Sequence, residues 1–280
     1  MLIHVGYDIS LQVPVPTPIN LLMDVHPSRA KDVMFDAPLE IPGVPVLRTH
    51  DAFGNVMRRI VSPAGITRLS YRAVVQDSGR ADAQPLNACE VPVAELPTEC
   101  LQFLLASRYC ETDELSALAW NMFGHIQPGY HRVKAVCDFV HEHIRFNYQN
   151  ARSTRTAFGA YNEGTGVCRD FAHLAIALTR CLNIPARYVN GYLGDIGVPK
   201  DPAPMDFSAW FEAYIGDEWV TFDARHNKPR IGRIVIARGR DAADVAMVTS
   251  FGQHYLAEFN VVADDVTPMA QPLTQQAVAA

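Results

Sequence analysis

Residues 171–182 constrain the fold most. Their apolar side chains cover most sides of a helical wheel, so a helix there must be surrounded by other elements instead of lying on a surface. Pro185 marks its end. A chain of 280 residues that is 49% hydrophobic can bury such a helix. Just upstream, Gly164-Thr165-Gly166-Val167-Cys168 runs a glycine-rich turn into the helix, which puts Cys168 at its N-terminus. Free N–H groups and the positive end of the helix dipole favour a thiolate there. A structural cysteine is the plainer alternative. The neighbours decide, because a cysteine nucleophile needs a base and a group to orient that base.

The N-terminal third reads as β-structure. Ile3, Val5, Tyr7, Ile9, Leu11 and Val13 alternate strictly, the period of a half-buried strand, until Pro14, Pro16 and Pro18 stop it. Ile19, Leu21, Met23 and Val25 alternate again, Gly54-Asn55 separates two further strands, and Leu69, Tyr71, Ala73 and Val75 give another. Short strands with turn signals predict a β-sandwich over residues 1–85. A turn-rich linker over 77–98 leads into helical patterns such as Val133, Val136, Cys137, Val140 and Ile144. Strand signals return at Tyr188-Val189, 207–215, 218–223 and 234–236, with Gly216-Asp217 as a two-residue hairpin turn. The expected class is therefore α+β: a sandwich at 1–85, a core of helices on an antiparallel sheet at 86–265, and a flexible tail at 266–280.

Several function classes fall away. A net charge of −6 with no basic run argues against nucleic-acid binding. No apolar stretch approaches ~18 residues, so no membrane span is expected. The first residues alternate and include Asp8, unlike a secretory signal, which makes the cytoplasm the expected location. Cys89, Cys100, Cys110, Cys137, Cys168 and Cys181 form no CxxC pair and fit reduced thiols better than disulfides or a zinc site. Asp264-Asp265 lacks the rest of a calcium loop. No metal and no cofactor are expected. Arg230, Arg233, Arg238 and Arg240, beside Asp241 and Asp244, read as a salt-bridge network before an anion site.

The partners of Cys168 are less direct. His173 lies about 140° around the helix from it and reads as a core or surface histidine. His141 and His143 face different ways on one helix, and Cys137 belongs to its apolar stripe. In the hairpin, pairing Ile215 with Glu218 sets Trp210 opposite Asp223 and Ser208 opposite Arg225, so Ser208 and Asp223 become diagonal neighbours on one face. Phe207, Ala209, Phe211, Ala213 and Ile215 take the other, apolar face. Strict alternation turns His226 away from Ser208; His226 reaches that face only if the strand ends or bulges near Ala224, which Pro229 allows.

The run from Gly164 to Leu174 resembles the nucleophile motif of the bacterial transglutaminase-like superfamily, which also contains cysteine proteases. Asn183-Ile184-Pro185-Ala186-Arg187-Tyr188 resembles the segment after the nucleophile helix there. Asp206-Phe207-Ser208-Ala209-Trp210-Phe211-Glu212-Ala213-Tyr214 resembles the family's histidine strand, and Thr221-Phe222-Asp223-Ala224 its aspartate strand. The N-terminal β-region resembles the domain that often precedes this core. The resemblance implies a papain-like triad, with Cys168 as nucleophile and Asp223 as orienting carboxylate. The family histidine falls where this chain has Ser208, whose hydroxyl cannot exchange protons near neutral pH as imidazole does. His226 is the candidate substitute base. The expected activity is cysteine acyl transfer on a peptide or glutamine-like amide, hydrolysis before cross-linking. The alternative is a non-catalytic peptide- or protein-binding module; a redox thiol ranks last, since Cys181 is about 20 Å down the same helix.

Overall fold

The computed structural model describes residues 1–266; most of the tail expected at 266–280 lies outside them. In chain order the strands and helices are β1 (Leu2–Val13), β2 (Thr17–Leu21), β3 (Val33–Ala37), β4 (Leu47–His50), β5 (Val56–Ser62), β6 (Gly65–Gln76), α1 (Thr98–Leu101), α2 (Thr112–Phe123), α3 (Tyr130–His143), β7 (Arg145–Phe146), α4 (Ala157–Glu163), β8 (Thr165–Gly166), α5 (Cys168–Cys181), β9 (Ala186–Leu193), β10 (Ser208–Ile215), β11 (Glu218–Phe222), β12 (Arg233–Gly239), β13 (Val248–Ser250) and β14 (Tyr255–Asp265).

Helix α5 is the hub. Every residue from Asp170 to Cys181 is buried, and the helix packs on α2, α3, α4, β9 and β10. The last two belong to the antiparallel sheet β11-β10-β9-β12. This is the α+β arrangement, helices on an antiparallel sheet, and it surrounds the apolar run at 171–182 as expected. The β10–β11 hairpin turns on Gly216 (φ 58°) and Asp217 (φ 62°), the positive φ pair of a type I′ turn. It keeps the expected register from Ile215↔Glu218 to Phe211↔Phe222. The Trp210 face of β10 is not solvated, because all of β10 is buried.

The six N-terminal strands, joined by β13 and β14, form two four-stranded sheets, β14-β1-β6-β3 and β13-β2-β5-β4. The alternating residues of β1 and β6 meet those of β2 and β5 in a core shared with α5. The sequence boundary needs one correction: residues 248–250 and 255–265, expected in the core, pair with β2 and β1. With β6 on one side, β1 presents an unpaired row of N–H and C=O groups on the other, and β14 satisfies it. Most of β14 is exposed, so it lacks the alternation that would mark a half-buried strand. This return brings the sandwich against the site. Phe207 packs on Tyr7 at 6.3 Å and Phe259 at 6.0 Å. The backbone of Gly194 approaches Ala263 so closely that a Cβ would stand 2.1 Å from its carbonyl oxygen.

Candidate active site

The turn before α5 is fixed by one carboxylate. Asp170, fully buried, accepts from the Val167 N–H at 2.9 Å and from Arg155 at 3.0 Å. This caps the helix and starts it at Cys168. Gly166 is required for the approach, since a Cβ there would lie 2.6 Å from the Asp170 Cβ. Gly164 (φ 59°) closes α4, and the parallel pairing of β7 with β8 holds the strand that leads in. Cys168 is half-buried. The backbone N–H groups of Ala209, at the start of β10, and of Arg169 act on its sulfur to lower its pKa.

At the far side of the hairpin the ladder ends at Phe222, and Asp223 leaves the strand. The chain turns at once, with the Asn227 N–H donating to the Asp223 carbonyl at 2.8 Å. His226 is thereby folded back onto Asp223. Its backbone N–H donates to Oδ1 at 3.0 Å and its Nδ1 lies 2.9 Å from Oδ2. Arg233 donates to the same Oδ2 at 2.9 Å and to Asp82 at 2.9 Å. Helix α3 clamps the turn: His141 Nδ1 donates to the carbonyls of Ala224 (3.1 Å) and Arg225 (3.0 Å), and Asn227 donates to Asp138 at 2.7 Å. Burial alone would raise the Asp223 carboxyl. The Arg233 guanidinium and the His226 ring and N–H outweigh it and hold Asp223 well below the usual carboxylate range. The carboxylate therefore adds stability above its unfolded value of about 3.9, and loses it only as pH falls below that.

Two cavities flank the junction between these parts. One, of about 350 Å³, is lined by Cys168, Tyr109, Tyr188, Ala242, Ala243 and Val245, among others. The other, of about 390 Å³, is lined by His226, Arg225, Tyr148 and residues 261–262 of β14. Asp206, Phe207 and Ser208 line both. Cys168 and His226 thus stand on either side of one ridge carrying Ser208. Among the described residues no hydrogen bond joins the Cys168 thiol to the His226 ring. Ser208 is buried at the start of β10, opposite Gly191 of β9. Among the described residues no hydrogen bond joins Ser208 to Asp223: the ladder ends at Phe222, and both Asp223 oxygens accept from His226 and Arg233.

A model of the transglutaminase-like superfamily matches residues 116–224. The crystal structure of a "Putative Cysteine Protease" from Cytophaga hutchinsonii superposes with a TM-score of 0.83 at 32% identity, covering 97% of this chain and 93% of that one. The chain belongs to the transglutaminase-like superfamily. The uncharacterized protein ML0607 of Mycobacterium leprae is 35% identical over 94 residues, and the match spans only 32% of its length. The uncharacterized protein Rv2569c of Mycobacterium tuberculosis is 39% identical over 89 residues, and 28% of its length is spanned. The span matched by the superfamily model contains Cys168, Ser208 and Asp223, but stops short of His226.

Within this transglutaminase-like frame three residues escaped the sequence reading. Arg233 grips Asp223 from β12, His141 holds the turn, and Asp206 lines both cavities. Arg233 stood in a recognisable arginine cluster; the other two give no local signal. The other three arginines of that cluster also form ion pairs, Arg230 with Asp195, Arg238 with Glu212 and Arg240 with Asp244. His173 is a core residue, stacked on Tyr109 at 5.0 Å.

At Cys168 burial opposes the thiolate that the helix N-terminus favours. Burial raises its pKa and Asp206 adds to that, against the lowering by Arg225 and the two backbone N–H groups. The neutral thiol is thereby favoured over the thiolate. Its alkylation by iodoacetamide, with Cys168→Ala as the blank for the other cysteines, is expected to rise with a midpoint above the free-thiol value of about 8.5. A midpoint below that value would mean that the helix terminus outweighs burial.

Proposed function

We propose that this protein is a cysteine acyl-transfer enzyme that hydrolyses a peptide or glutamine-like amide through a thioester on Cys168, with His226 as general base where the family position holds Ser208. The observation that carries this reading is the Asp223–His226 pair at 2.9 Å, facing a cavity that shares its wall with the Cys168 cavity. The pairing commits Nδ1–H to the carboxylate and leaves Nε2 to accept a proton. A neutral thiol must lose its proton as it attacks, so a base is needed at that step.

Atoms and protons balance at each step. His226 Nε2 takes the Cys168 proton while the sulfur bonds to the amide carbon. Backbone N–H groups at the start of α5 stabilise the oxyanion. The carbon–nitrogen bond breaks, and the His226 imidazolium returns its proton to the leaving amine. Water, deprotonated by the same ring, hydrolyses the thioester and regenerates the thiol. His226 must reach the leaving amine, so the leaving group occupies the cavity of His226 and the acyl group that of Tyr109 and Tyr188.

Six free cysteines fit a reducing compartment, and among the described residues no helix is long and apolar enough to cross a membrane. The cytoplasm is the location we propose. The test is acyl-enzyme trapping. The wild-type chain is mixed with a p-nitrophenyl ester of an N-blocked amino acid, quenched in acid and digested. A mass increase confined to the peptide containing Cys168 is expected. No acylation there, with any acyl side chain tried, would sink the proposal.

A further inference from the structure

A third cavity lies beside the ion pair that holds Asp223. It measures about 230 Å³, and its lining includes five arginines against three carboxylates, with Trp210 among its wall residues. The network extends beyond that lining, since Arg233 also holds Asp223 and Arg230 also reaches Asp195. Two of those arginines are more than nine-tenths buried, Arg230 at 5% and Arg233 at 8% exposure. Arg233 spends Nε on Asp82 and Nη2 on Asp223, yet its buried Nη1 has no acceptor among the described residues. Arg230 donates Nη2 to the Gly194 carbonyl at 2.9 Å and lies 3.5 Å from Asp195, yet among the described residues its buried Nε has no acceptor either. Buried charged donors without acceptors are costly and uncommon. Arg80, a third lining residue, is exposed, and its guanidinium is in no ion pair among the described residues. Burial and the neighbouring Arg233 both lower the pKa of Arg230, as crowded positive charges do.

We propose that this cavity binds a small oxyanion, a phosphate or a carboxylate, between Arg230 and Arg233, with Arg80 on its exposed side. Either group supplies two or more oxygens to guanidinium N–H groups that are held rigidly, the arrangement in which arginine recognises such anions. The floor of the site is stiff, because the Arg233 guanidinium stacks 4.9 Å from the Trp210 ring centroid. The proposal does not depend on the acyl-transfer reading, although Arg230 also lines the cavity of His226.

The test titrates inorganic phosphate, and in a parallel arm acetate, into the full chain at constant ionic strength. It follows the arginine Nε–Hε resonances by NMR. Saturable movement of the Arg230 and Arg233 resonances is expected, and the arm that saturates at lower concentration names the anion. Arg80→Ala, which breaks no ion pair, should weaken the binding about tenfold. Resonances that stay still, or drift no more than with sodium chloride, would mean that water meets these N–H groups, and would overturn the proposal. An affinity unchanged by Arg80→Ala would overturn the site as drawn.

Discussion

Replacing His226 by alanine is expected to lower amide turnover by about 10²–10⁴-fold, the range for loss of a general acid–base group. The loss should be unequal between substrates. An amide needs a proton delivered to its leaving nitrogen, whereas an activated ester departs as a stable anion. Ester hydrolysis should therefore fall by clearly less than amide hydrolysis in the same variant. A merely structural role would depress both alike. The fold should survive, because Asp223 keeps Arg233 and the turn keeps its clamp from His141 and Asp138. Ser208→His in the His226→Ala background provides the converse. Position 208 lines both cavities, and removal of the His226 ring leaves Asp223 an acceptor for another imidazole. Partial recovery of amide turnover there would show that only the base had been lost. Equal losses on ester and amide, or a loss below tenfold, would remove His226 from the mechanism.

The features legible in the sequence were local or periodic. The apolar run at 171–182 specified a helix buried on all sides, and α5 is that helix. Gly216-Asp217 specified both the turn and the register of β10–β11. The features that stayed hidden depend on where pairing stops and on contacts between distant segments. Alternation extrapolated past Phe222 kept Asp223 beside Ser208. The ladder ends there, and the carboxylate pairs with His226 and Arg233. Asp82, in a stretch that reads as a turn-rich linker, reaches Arg233 across the chain. Strand β14 is hidden for a related reason: its exposed side chains carry no alternation, and its place is set by the open edge of β1. The thiol at Cys168 shows the same limit in electrostatics. A helix N-terminus can be read from a motif, but the burial and the Asp206 carboxylate that outweigh it cannot.

Cys168→Ala is expected to have the largest effect, a loss of turnover on the order of 10⁶-fold, as for removal of the nucleophile from a triad enzyme. The chemistry sets the size. Without sulfur there is no thioester, and His226 could at best activate water against an amide held for attack from another atom. The substitution removes one half-buried atom, so the melting temperature should change little. Substrate affinity should also persist, since the cavities on both sides of the Ser208 ridge keep their other walls. Equilibrium binding of an uncleaved amide and single-turnover product release, measured on the same preparation, separate the outcomes. Binding retained with turnover gone places the sulfur in the reaction. Turnover that persists rules the thioester out. Binding that is the same in both proteins, with no turnover in the wild type either, makes this transglutaminase-like chain a peptide-binding module. Its neutral thiol and serine-bearing ridge would then mark a lost triad.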